Sequence, residues 1–139
     1  MMKFPAVIGF LLAVVTAAPA HHSAATEFDM NDPVSVEGVV SKVEWRNPHI
    51  WFYVDVRDAN GQVTTWGFTG SPPGMLARRG ITRDILTNGA EVKVEGFRAR
   101  DGSPNAVGRN VTFADGRSVF TGTPGGRHHF LIFIGPLMF

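Results

Sequence analysis

The chain has 139 residues, enough for one domain with a single hydrophobic core but not for two. Its 16 glycines, 9 prolines and 44% hydrophobic content favour many turns and short strands over a helical bundle or a disordered chain. With 13 basic residues against 12 acidic and no basic stripe, nucleic acid is not an expected partner, and the absence of cysteine excludes disulfides and thiolate chemistry.

Residues 1–20 have the pattern of a secretory leader. Lys3 supplies a positive start, Phe4 to Val15 an apolar stretch of about a dozen residues, and Ala18-Pro19-Ala20 the small residues a signal peptidase reads. The apolar stretch is shorter than the roughly 20 residues a membrane span needs, so no transmembrane segment is expected in the mature form. Removing this segment also removes Lys3, its only charged residue, and leaves a formally neutral chain that begins at His21. The expected location is the periplasm.

Residues 21–33 are polar with little periodicity and read as an N-terminal arm. A first strand is expected from Val34. Its apolar phase changes after Gly38, to Val39, Val43 and Trp45, which predicts a β-bulge at the glycine. Ile50, Phe52, Val54 and Val56 alternate with His49, Trp51, Tyr53 and Asp55, the pattern of a half-buried second strand. Asp58-Ala59-Asn60-Gly61 turns the chain into a third strand, Gln62 to Phe68.

Gly70 to Arg79 breaks the β pattern. Ser71 is an expected helix cap, with Pro72 and Pro73 tolerated in the first turn and Gly80 ending the helix. Thr82 to Leu86 predicts a second short turn. Strands follow at Glu91 to Ala99 and Ala106 to Phe113, joined by Asp101-Gly102-Ser103-Pro104. Three strands, a short helix and two further strands predict an all-β fold. The expected form is a small OB-like β-barrel of five to six strands over residues 34–120, with the helix between strands three and four. A β-sandwich would need about seven strands. The segment 121–139 reads as a tail ending in an apolar run, Phe130 to Ile134, too short to span a membrane.

The connection Asn47-Pro48-His49 carries the most chemistry. Pro48 restricts itself and Asn47, so the link presents His49 stiffly at the start of strand two. If Ile50, Phe52 and Val54 face the core, then His49, Trp51 and Tyr53 share the outer face, and with Asn47 they form a candidate ligand-binding surface. The competing expectation is that another element covers that face. Trp45, Trp66 and Phe68 read as core. No paired carboxylates, Gly-x-Ser-x-Gly elbow, phosphate-cradling loop or His-Glu-x-x-His helix appears, so the expected role is non-enzymatic binding of a small ligand or a periplasmic protein partner.

A second expectation concerns copper. Cleavage after Ala20 frees an α-amino group on His21, and an N-terminal histidine can chelate Cu(II) through that amine and its ring nitrogen. His21, His22 and His49 are the candidate metal ligands.

Several stretches together resemble a bacterial family of small exported proteins, domain of unknown function 6152. They are His21-His22-Ser23, Glu44-Trp45-Arg46-Asn47-Pro48-His49-Ile50-Trp51 and Gly80-Ile81-Thr82-Arg83-Asp84, extended by Ala99-Arg100-Asp101-Gly102-Ser103 and Ala114-Asp115-Gly116-Arg117. The likeness covers roughly 21–121. It implies a secreted, compact, β-barrel-like domain and no particular activity.

Overall fold

A computed structural model describes residues 24–122. Eight elements follow one another: α1 (Ala24–Glu27), β1 (Phe28–Glu44), β2 (Trp51–Arg57), β3 (Val63–Thr69), α2 (Pro73–Arg78), β4 (Glu91–Ala99), β5 (Asn105–Phe113) and β6 (Ser118–Phe120). The strands form one sheet in the order β3-β2-β1-β4-β5-β6, and a parallel pairing of β3 with β5 closes five of them into a ring. This is the expected barrel-like, OB-like arrangement, with α2 between the third and fourth strands.

Closure depends on β1, which serves two neighbours. Its residues Pro33 to Val39 pair with β4, and Val39 to Glu44 pair with β2. Two devices bend it, and neither is the bulge expected at Gly38. The register slips between Val40 and Lys42, so Ser41 is the extra residue, and its hydroxyl donates to the Tyr53 carbonyl at 3.4 Å. Val40 therefore points into the core while Val39 stays exposed. Gly38 acts through its lack of a side chain, because a Cβ there would collide with the Asp55 carbonyl and the Val54 side chain. The glycine permits close passage of β2.

The arm expected at 21–33 is also corrected from residue 28 onward. β1 begins at Phe28, which is buried and pairs with Ala99. Burial of one aromatic and pairing with β4 outweigh the polar neighbours Asp29, Asn31 and Asp32. Residues 21–23 lie outside the described residues, as do the expected leader and the expected tail from Thr123.

Inside the ring, Val40, Ile50, Phe52, Val54, Phe68, Val94, Ala106 and Val111 make the core, with Leu76, Ile81 and Leu86 capping it from α2 and the chain that follows. Phe52 and Phe68 stack across β2 and β3 with centroids 5.4 Å apart. Burying each such aromatic contributes about 2–3 kcal/mol. Of the aromatics expected in the core, Phe68 is fully buried. Trp45 and Trp66 pack against its edge with Arg83 and Arg98 over their outer faces.

Ser71 does not cap α2. Pro72 occupies the N-cap position without a side-chain hydrogen bond, and the buried Ser71 hydroxyl donates instead to the Gly122 carbonyl at 2.6 Å. Arg79 completes this clasp, donating to Ser71 Oγ and to the Phe120 and Gly122 carbonyls. The start of the expected tail, Thr121 and Gly122, is thus packed into the barrel end. Thr82 to Leu86 forms a turn, with Leu86 N–H donating to the Thr82 carbonyl.

Candidate functional site

The alternation of β2 separates its two faces as expected. Ile50, Phe52 and Val54 are fully buried, whereas Trp51 and Tyr53 are half-buried on the outside and stack at 6.5 Å with an interplanar angle of 25°. Both rings lie over Gly67 of β3. A Cβ at Gly67 would sit 3.4 Å from the Tyr53 ring, 3.5 Å from the indole of Trp51 and 2.5 Å from Asn105 Oδ1. Glycine is what lets two aromatics and an amide meet over one strand position.

Asn105 arrives there through the barrel closure, since Gly67 and Asn105 are partners in the parallel β3–β5 pairing. A short polar relay holds it. Asn105 Nδ2 donates to Ser103 Oγ at 2.9 Å, and Ser103 donates through its hydroxyl (2.6 Å) and its backbone N–H (2.9 Å) to Asp101 Oδ1. Those bonds from Ser103, the side-chain one foremost, hold the Asp101 carboxyl below its ordinary range, so it is an acceptor at neutral pH.

A groove of about 370 Å³ runs beside Trp51, between the β4–β5 turn and α1. Its polar lining includes Arg100, Asp101, Ser103 and Asn105 on one side and Thr26 and Glu27 on the other. The Arg100 backbone N–H donates to the Glu27 carbonyl and its side chain to the Ala25 carbonyl, which fastens α1 as the groove's second wall. Tyr53 is less open, because Lys42 Nζ lies 5.4 Å above its ring and bonds to Glu44.

His49 and Asn47 are exposed in the connection before β2, and the Asn47–Pro48 peptide is cis. His49 Nδ1 lies 2.9 Å from the Gly70 carbonyl, which can only accept, so Nδ1 carries a proton and the lone pair of the neutral imidazole falls on Nε2. His21 and His22 lie outside the described residues. Among the described residues no three His, Asp or Glu side chains converge as a metal-binding group, and no helix is long and apolar enough to cross a membrane.

Asp101, Ser103 and Asn105 were not expected at the site. Asp101-Gly102-Ser103-Pro104 reads as an ordinary turn, and nothing local brings it to Trp51. The available signal was topological: in an OB-like barrel the fourth connection flanks the face of strands two and three.

No curated protein matches the chain. No solved structure matches it either. Residues 8–109, most of the chain, match a family model, and the protein thus belongs to a family of unknown function, DUF6152.

Proposed function

We propose that the protein is exported to the periplasm and acts there as a non-enzymatic binding or accessory protein. It takes a small ligand or a partner protein on the surface made by the 47–49 connection, the outer face of β2 and the β4–β5 turn. The observation that carries this reading is Trp51: its indole lies outside the apolar core and, with Phe28 and Ala99, gives an apolar surface to a groove rimmed by the polar residues Arg100, Asp101, Ser103 and Asn105. A large aromatic surface with a few placed polar groups is the usual make-up of a ligand site.

Site-specific photo-crosslinking in the periplasm tests it. A photoreactive phenylalanine at position 51 should yield a discrete adduct, read as a mass shift, and the same probe at Lys93 on the far part of the barrel should not. Equal labelling at both positions, or none at position 51, contradicts the reading.

A second reading, copper binding, is favoured by the His49 tautomer. With Nδ1–H tied to Gly70, Nε2 is free to ligate, the arrangement that orients metal-binding histidines. α1 begins at Ala24 and lines the groove beside Trp51, and three residues back to His21 span at most about 11 Å. A mature amino terminus at His21 therefore has the reach to approach this end of β2. Cu(II) titration of periplasmic protein should show affinity that falls at least about tenfold in His49→Ala and when one residue is added before His21. Unchanged affinity in both variants contradicts copper binding.

A further inference from the structure

Building on the binding reading above, we propose that the groove beside Trp51 takes a neutral saccharide, with one pyranose ring laid against the indole. A sugar ring offers a face of C–H groups and a rim of hydroxyls that both donate and accept. The groove matches this mixture. Trp51 supplies an apolar face, Asp101 and Glu27 supply acceptors, and the Asn105 amide supplies an acceptor oxygen and a second N–H beyond the one given to Ser103.

Charge separates the saccharide from other ligands that stack on aromatics. Two carboxylates face one guanidinium, and that guanidinium is already engaged by the Ala25 carbonyl at 3.2 Å and by Asp29 at 3.8 Å. A nucleotide strand or sugar phosphate would bring negative charge to a groove with no cation to spare, where such ligands rely on basic side chains. Phe28, Ala99 and Trp51 offer apolar contact, but a purely apolar ligand would take water from Asp101, Glu27 and Asn105 without giving them partners, whereas a sugar satisfies both. The position agrees as well. The groove lies between strand two and the fourth connection, the region where OB-type barrels hold oligosaccharides or oligonucleotides.

Asp101 gives the site its order. Its Oδ1 is occupied by Ser103, and the relay through Ser103 fixes the Asn105 amide over Gly67. The second carboxylate oxygen of Asp101 is left as the acceptor for a hydroxyl. The volume of about 370 Å³ suits a short saccharide segment, not an extended polymer lying flat on the sheet.

Titration calorimetry of the full mature chain is the test, with cellohexaose, maltohexaose and chitohexaose as probes and a thymidine hexanucleotide and spermidine as controls. At least one oligosaccharide should bind with Kd at or below about 1 mM, and Trp51→Ala should weaken it at least about tenfold. Asn105→Ala, which leaves the indole in place, should weaken it as well and serves if the first variant folds poorly. Binding that survives both substitutions overturns the proposal. So does preference for the nucleotide or for spermidine, or no binding by any of the three sugars. If the position-51 crosslink forms in cells while no sugar binds, the saccharide falls and the binding reading stands. If the crosslink is also absent, both fall.

Discussion

Two single residues carry demands that their neighbours do not share. Gly38 is the point at which β1 passes the β2 backbone, and any side chain there meets the Asp55 carbonyl. Gly38→Ala should destabilise the barrel by about 1–3 kcal/mol, measured by urea unfolding, whereas a bulge glycine in open space would cost less. Thr121 presents the opposite case. It is fully buried, and its hydroxyl has no hydrogen-bond partner among the described residues. The near-isosteric Thr121→Val should raise stability by about 1 kcal/mol, since it removes a desolvated hydroxyl at constant volume. A fall in melting temperature would indicate a bond that the hydroxyl does make.

At the scale of elements, β2 was the most legible part of the chain. Its period-two alternation alone separates Phe52 and Val54 from Trp51 and Tyr53, because each residue type matches the face it occupies. β1 was harder. Gly38 resembles a phase slip in sequence, yet the slip falls at Ser41, where only the pairing of Val40 with Val54 and Lys42 with Tyr53 reveals it. The stretch from Phe28 to Asp32 looks like loop because one buried aromatic among polar residues gives no period. The β4–β5 turn carries its own test. Asp101 is held below its usual pKa by bonds from Ser103, so the order these bonds provide is present above the ordinary carboxylate range and is lost as pH falls through the lowered folded value. The protection of the Ser103 amide, measured as exchange relative to its intrinsic rate at each pH, should hold at neutral pH and fall only in that acid range. Protection that is flat down to the most acid conditions would show that the turn holds without the carboxylate.

For the molecule as a whole, strand count, the short helix and the OB-like order followed from turn spacing and from the break at Gly70 to Arg79. The outward placement of His49, Trp51 and Tyr53 was legible too, since they come from one strand and the connection before it, but of these three only Trp51 lines the groove. The polar side of the groove depends on chain closure. Asn105 reaches Gly67 only because β5 runs parallel to β3 across the ring, a contact between segments far apart in sequence that leaves no local pattern. The fold thus assembles an aromatic wall from β2 and a polar wall from the β4–β5 turn, and α1 completes the groove.

The two faces of β2 do different work, one packed in the core and one presenting Trp51 to the groove, and adjacent residues allow a direct comparison. Thermal unfolding of Phe52→Ala and Trp51→Ala, measured side by side, should show a loss of about 3–5 kcal/mol for the fully buried phenylalanine. The half-buried tryptophan should lose no more than about 1–2 kcal/mol, with the strand signal retained. Equal destabilisation of the two variants would mean that the indole belongs to the core and is not held out for a ligand.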